Sequence, residues 1–306
     1  MIRVAIIQGD AGCDATLTRT AELTADAARG GASLVVFPET WLPGYPIWLD
    51  VCRDVALWDA LPVKRVFADY AERSIDVAGD GGRALGAMAA SAGVTLVIGV
   101  SERISAGPGR GTLYNSLLTF APDGTLLNHH RKLMPTYTER IVWGHGDASG
   151  VRAVDSQGVR IGGLVCWEHW MPLTRQALHE SGEDIHVAVW PTAHEMHQVA
   201  SRHYAFEGRC FVLAAGSIMR GRDLPPAFEP HPSKVPSADA FIMRGGSAVY
   251  GPDGSTVAGP IYDEATIVFA DLDLSRVREE SMTLDVAGHY SRPDCFRFDV
   301  APHSRR

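Results

Sequence analysis

Two hairpin signals far apart in the chain constrain its fold more than any other feature. Leu117-Leu118-Thr119-Phe120, the turn Pro122-Asp123-Gly124 and Leu126-Leu127 form the first, and Ala248-Val249-Tyr250, Pro252-Asp253-Gly254 and Thr256-Val257 repeat it. Proline presets φ in such a turn and glycine accepts the positive φ that closes it, so each cluster joins two antiparallel strands. Each hairpin also ends a stretch of alternating strands and helices. Before the first, residues 4–8, 34–37 and 95–100 have the apolar runs of buried strands. Between them residues 16–29 read as an amphipathic helix, with Leu17, Ala21 and Thr24 on one side and Gly30-Gly31 as its stop, and residues 63–76 and 83–92 as two more helices. Around the second hairpin, strands are expected at 160–165, 186–190, 212–216 and 267–272, and helices at 172–181 and 196–208.

Two similar halves, each a sheet with helices on one face, bury most apolar surface when the sheets stack between the helix layers. The expectation is an α/β architecture. With 306 residues, 46% of them hydrophobic, and no low-complexity linker, residues 1–306 read as a single domain. Proline and tryptophan cluster from 41 to 62, which predicts an ordered insertion over a strand end. Residues 220–244 are proline-rich without periodicity and predict a long loop or a mobile lid.

A net charge of -8 with no basic run longer than Arg305-Arg306 argues against a nucleic-acid surface and for small-molecule chemistry. The five cysteines, at 13, 52, 166, 210 and 295, have no CxxC spacing, which gives neither a disulfide framework nor a zinc site and fits a reducing compartment. Residues 4–8 follow Met1 with no leader-like segment, and no apolar run approaches the ~20 residues of a membrane-spanning helix, so a soluble cytoplasmic protein is expected.

Three strand ends carry reactive groups. Cys166 ends the run Ile161-Gly162-Gly163-Leu164-Val165, Glu39 follows Leu34-Val35-Val36-Phe37, and Lys132 lies between Arg131 and Leu133 after another strand. A thiol at the carboxyl end of a buried parallel strand is placed to meet a ligand. It still needs a base, which a desolvated carboxylate with a raised pKa can supply, while an ammonium steadies developing negative charge. Taken singly, each has a plainer reading: a cysteine after an apolar strand is mostly a packing residue, and a lone Glu or Lys is mostly a solvated one.

Their combined contexts, Phe37-Pro38-Glu39-Thr40, Arg131-Lys132-Leu133-Met134-Pro135-Thr136 and Cys166-Trp167-Glu168-His169, resemble the nitrilase branch of the carbon-nitrogen hydrolase superfamily. The likeness extends from Val4 to about Val300 and includes Gly44-Tyr45-Pro46, Glu139-Arg140, Gly146-Asp147, Met171-Pro172-Leu173, 207–212 and 288–294. It implies a four-layer αββα sandwich, with Cys166 as nucleophile, Glu39 as general base, Lys132 as charge stabiliser and Glu139 as a second glutamate that positions lysine and substrate. It further implies a homodimer or larger homo-oligomer, joined through helices such as 172–181 and 196–208.

The implied reaction converts an organic nitrile to its carboxylic acid and ammonia through a cysteine thioimidate and thioester, with no cofactor and no metal. Tyr45, Tyr137, Trp167, Trp170, Trp190 and Thr192 are the expected substrate contacts, with Trp48 a further aromatic that could line the pocket. Each aromatic could equally be core or a subunit contact. An amidase or carbamoylase of the same superfamily is the alternative, and an inactive binding protein on this fold is the alternative of another class. His194 and His197 stand at i, i+3, where a zincin needs i, i+4, so a metal is not expected there even with His203 nearby. Gly79-Asp80-Gly81-Gly82 forms neither GxGxxG nor a phosphate loop, and Cys210 reads as packing.

Overall fold

The computed structural model describes residues 1–12 and 15–301; Cys13 and the basic pair Arg305-Arg306 lie outside them. The chain runs through β1 (Ile2–Gln8), α1 (Leu17–Arg29), β2 (Leu34–Val36), α2 (Trp48–Val51), α3 (Leu61–Arg73), α4 (Asp80–Ala92), β3 (Thr95–Arg103), β4 (Leu113–Phe120) and β5 (Leu126–Arg131). It continues through β6 (Val154–Ser156), β7 (Val159–Val165), α5 (Pro172–Ser181), β8 (Ile185–Val189), α6 (Glu195–Gly208), β9 (Phe211–Ala215), β10 (Ile218–Arg220), β11 (Phe241–Tyr250), β12 (Thr256–Tyr262), β13 (Thr266–Leu272) and α7 (Ser275–Ser281).

One sheet has the order β13-β1-β2-β3-β4-β5, and the other β10-β11-β9-β8-β7-β6 with β12 on β11. The halves correspond: β1, β2 and β3 are parallel neighbours, as are β7, β8 and β9. Each parallel core is extended on one side by the antiparallel hairpin anticipated from its turn. In both turns the aspartate Oδ1 accepts from an amide two residues on, Asp123 from Thr125 at 2.8 Å and Asp253 from Ser255 at 3.0 Å.

Alternation along β1 sets the layers. Val4 and Ile6 face the second sheet in one apolar cluster, with Val187, Val189 and Leu213. Ala5 and Ile7 face the other way, with Leu23 and Ala27 of α1 and Leu85 and Ala89 of α4. Residues Leu178, Tyr204 and Ala205 of α5 and α6 cover the second sheet's outer face. The result is the expected αββα sandwich, with both parallel cores buried on two faces.

Some local expectations shift. The Thr16 hydroxyl caps α1 by accepting from Arg19 N at 3.2 Å, but the buried side is Thr20, Leu23, Thr24 and Ala27 rather than the Leu17-Ala21-Thr24 row. Thr20 turns inward because its hydroxyl accepts from Trp41 Nε1 at 2.8 Å, leaving Leu17 exposed. α3 begins two residues earlier than the periodicity suggests, because Pro62 fits a helix's first turn, where its missing N–H costs nothing. The insertion after Trp41 is ordered, with Trp48, Leu49 and Val51 buried.

The stretch expected as one loop from 220 to 244 instead starts in β10 and ends in β11, which pair with each other. Its middle is tied to the insertion. His231 N donates to Val51 O at 2.8 Å, Arg53 N donates to Glu229 O at 2.9 Å, and the Phe228 ring lies 5.3 Å from Trp48. It forms a wall over the strand ends rather than a detached lid.

Candidate active site

Glu39, Lys132 and Cys166 follow the carboxyl ends of β2, β5 and β7, and the stacked sheets bring these ends together. Donor atoms of Glu39, Glu139 and Cys166 all lie within 4.8 Å of one another. Lys132 Nζ sits among them, donating to Glu39 Oε1 at 3.0 Å and to Glu139 Oε1 and Oε2 at 3.0 and 2.7 Å. A metal ion at this cluster would have to displace that ammonium, which already supplies the positive charge.

Glu139 is held twice more. Thr136 N donates to its Oε2 at 2.7 Å at the start of the 3-10 turn Tyr137–Ile141, and Tyr45 OH donates to its Oε1 at 2.9 Å. Glu39 Oε1 also accepts from Asn115 Nδ2 at 2.7 Å, while Glu39 Oε2 is buried without a partner. An orphaned buried carboxylate oxygen is costly unless it awaits a proton or a ligand.

Electrostatics follow from this packing. Burial pushes Glu39 up to about 7, with Glu139 adding to the effect and Lys132 and Asn115 opposing it. Burial alone would lower the Lys132 ammonium, but Glu39, Cys166 and Glu139 more than reverse that, so it stays charged. The Cys166 thiol is pushed well above its usual value by burial and the two carboxylates, against the pull of Lys132 and the amide of Trp167. The arrangement can therefore take a proton from a resting thiol onto a carboxylate poised near neutrality.

The backbone at this cluster is strained. Thr40, Tyr137 and Cys166 have φ of 41°, 39° and 54°, left-handed values that cost a non-glycine residue about 1–3 kcal/mol each. At Cys166 this turn enters the 3-10 segment Cys166–Trp170 and points the sulfur toward the carboxylates rather than along the strand. Glu168 braces it. Its Oε2 accepts from Val165 N and pairs with His130 Nε2, both at 2.8 Å, and its Oε1 accepts from Leu133 N at 2.8 Å. The nucleophile turn and the lysine strand are thus tied by one buried carboxylate, which burial alone would raise but these donors hold below its usual range.

A cavity of about 320 Å³ opens onto the sulfur, walled by Tyr45, Tyr137, Trp167, Pro191, Thr192 and His197 among others. Four of the six residues expected as substrate contacts, Tyr45, Tyr137, Trp167 and Thr192, line this cavity. Trp170 and Trp190 are not on this wall. Trp190 is fully buried behind it, 4.7 Å from the His169 ring and 4.6 Å from His197, and Trp170 packs edge-on to Trp167 at 5.4 Å. Trp190 is drawn into packing behind the turn, whereas Trp170 stays partly exposed at the surface. Trp48 instead lines a separate cavity of about 710 Å³, away from the sulfur on the other side of Tyr45.

Sequence reasoning missed Asn115 and the brace role of Glu168. The signal for Asn115 was an amide side chain within a mostly apolar strand, which must have a partner if buried. His194 and His197 face the cavity, and neither they nor His203 fall in a metal-ligand cluster among the described residues.

The profile of the carbon-nitrogen hydrolase family matches residues 3–280. The chain is similar to an "aliphatic nitrilase" of Sinorhizobium fredii, 40% identical over 290 residues that cover 94% of this chain and 90% of the relative. It is also similar to a "bifunctional nitrilase/nitrile hydratase" of Lupinus angustifolius, 39% identical over 293 residues, 94% of this chain and 82% of that one. Among solved structures, a carbon-nitrogen hydrolase of Helicobacter pylori G27 superposes with a TM-score of 0.71 over 96% of both chains at 21% identity, a likeness of fold.

Proposed function

The chain belongs to the carbon-nitrogen hydrolase family, and from that premise we infer that it is a nitrilase, hydrolysing an organic nitrile to the carboxylic acid and ammonia. The observation that carries this reading is a buried sulfur beside an unpartnered carboxylate oxygen, with an ammonium clamped between two glutamates. In the proposed sequence Glu39 accepts the Cys166 proton as the sulfur adds to the nitrile carbon, and returns it to the nitrile nitrogen to give a thioimidate. Water adds, a tetrahedral intermediate expels ammonia, and a second water cleaves the thioester to acid and free thiol. Lys132 offsets charge on the reacting nitrogen and oxygen, with the Trp167 amide beside it. Glu139, itself held by Tyr45, keeps that lysine in place.

Each step is a proton transfer, an addition or an elimination, so the chemistry asks for no redox or group-carrying cofactor. If the tetrahedral intermediate expels the thiol instead of ammonia, an amide leaves, and the bifunctional name of the Lupinus relative supports such a by-product. The narrow cavity between Tyr45, Tyr137, Trp167 and Pro191 favours a linear or flat apolar nitrile.

On the resemblance of its helices and the absence of cysteine pairing among the described residues, the chain is further proposed to act in the cytoplasm, as one domain and at least a homodimer. No helix among the described residues is long and apolar enough to cross a membrane. The test is a panel of aliphatic, aromatic and arylacetonitriles, with matched amides, read by ammonia release. Nitrile turnover that Cys166→Ala reduces at least ~10²-fold, with the fold intact, is expected. Ready hydrolysis of amides with every nitrile untouched would replace this reading with the amidase one.

A further inference from the structure

Behind the nucleophile turn lies a buried chain of titratable groups that the chemistry above does not use. His169 Nδ1 is 2.7 Å from the Cys166 carbonyl oxygen, His169 Nε2 is 3.0 Å from His186 Nε2, and His186 Nδ1 is 2.8 Å from Glu183 Oε1. Tyr204 OH donates to Glu183 Oε2 at 2.6 Å and its ring stacks on His186 at 3.7 Å. All four side chains are buried. The fold makes room for the carboxyl: a Cβ on Gly162 of β7 would lie 1.8 Å from Glu183 Oε1.

With both rings neutral, proton accounting along this chain has one consistent answer. A carbonyl can only accept, so His169 Nδ1 carries a hydrogen. A neutral His169 then accepts at Nε2 from His186 Nε2–H, and His186 Nδ1 is left with a lone pair facing Glu183. That contact is a hydrogen bond only if the carboxyl donates. The trio therefore holds one proton beyond two neutral rings and a carboxylate. Removing it reverses the order: a Glu183 carboxylate attracts a hydrogen to His186 Nδ1, His186 Nε2 becomes an acceptor, His169 must donate from Nε2, and its Nδ1 no longer holds the Cys166 carbonyl.

We propose that Glu183, His186 and His169 form a positioning relay that locks the strained turn at Cys166 while Glu183 is protonated and releases it when that one proton is lost. This rests on the reading of Cys166 as nucleophile. The groups around the relay agree with it. Burial, then His186, pull His169 down to about 3, and burial with His179 pulls His186 well below its usual value, so both rings are neutral. Burial raises Glu183 to about 7 against Tyr204, His179 and Arg160. Glu168 acts on both rings in the opposite sense, Arg175 donates to the His169 carbonyl at 3.0 Å, and Cys210 faces Glu183 from the start of β9. Glu183 is thus protonated below about 7 and charged above it, and the lock is lost as pH rises through that value.

The test compares wild type with Glu183→Gln. The amide donates to His186 Nδ1 and accepts from Tyr204 at every pH, so the variant should keep the locked order permanently. Wild-type kcat should fall along a one-proton alkaline limb with KM unchanged, and Glu183→Gln should lose that limb while its acid limb stays. Nitrogen-15 histidine spectra of wild type should show His169 protonated at Nδ1 and His186 at Nε2 on the acid side, both switching together on the alkaline side, and no switch in the variant. A limb retained in Glu183→Gln, or histidine tautomers in wild type that do not change with pH, would overturn the proposal. The spectra decide it even if the variant fails to fold. If no nitrile is turned over, the nitrilase reading falls separately, and the pH dependence of Cys166 alkylation by iodoacetamide replaces kcat as the readout.

Discussion

Glu39 has one oxygen shared by Lys132 and Asn115 and the other bare. Its burial raises it to about 7, and the Asn115 amide is one of the groups that keep it from rising further, because a donor to a carboxylate favours the charged form. A base must be unprotonated to take the thiol proton, so kcat/KM should rise with pH through the Glu39 value. Asn115→Ala removes the donor and raises Glu39 further. The acid limb of kcat/KM should then move to higher pH by about one unit, which a pH-rate profile reads directly. An unmoved limb would mean that Glu39 does not govern it. Glu39, Lys132 and Cys166 were legible in the sequence because each sits in a strand-end motif. Asn115 was not, since its partner Glu39 follows another strand and only the pairing of β2, β3 and β4 brings them together.

At the scale of elements, the site is built where strands stop, and the stop is made by tight backbone rather than by long loops. Gly99 of β3 is an example. A Cβ there would lie 2.3 Å from the Pro38 carbonyl oxygen, 2.6 Å from Thr40 N and 2.8 Å from Glu39 Cα, all backbone atoms with no room to yield. Gly99→Ala should therefore cost about 1–3 kcal/mol of stability and also displace the Glu39 backbone, so that kcat falls well beyond what the lower melting temperature explains. Denaturant unfolding and kcat on the same preparation separate the two effects. Strands and helices of the sandwich were legible because their apolar periods are strong and their turns carry Pro-Asp-Gly. The side of α1 was misread because its inward row is chosen by a tertiary hydrogen bond from Trp41 to Thr20, which no period records. For the same reason β10 was hidden: three residues acquire strand geometry only by pairing with β11.

For the whole molecule, the outer face of the second sheet's helices leaves large apolar side chains exposed. Met196, Val199 and Phe206 lie on one stripe of α6 and are 58%, 50% and 47% exposed, and Leu173 of α5 is 69% exposed. Trp170 continues this apolar surface to the turn that holds Cys166, through its edge contact with Trp167. We propose these exposed apolar residues as the contact of a homo-oligomer. A second copy of the chain seated there would bury the stripe and press on the back of the nucleophile turn. Sedimentation equilibrium should therefore give at least twice the chain mass. Val199→Lys, which sets an unpaired ammonium in the stripe, should give a folded monomer with unchanged far-ultraviolet dichroism and a clearly lower kcat. A Val199→Lys protein that keeps its assembly would put the contact on another face, and a monomer of full activity would show that the turn at Cys166 is held without it.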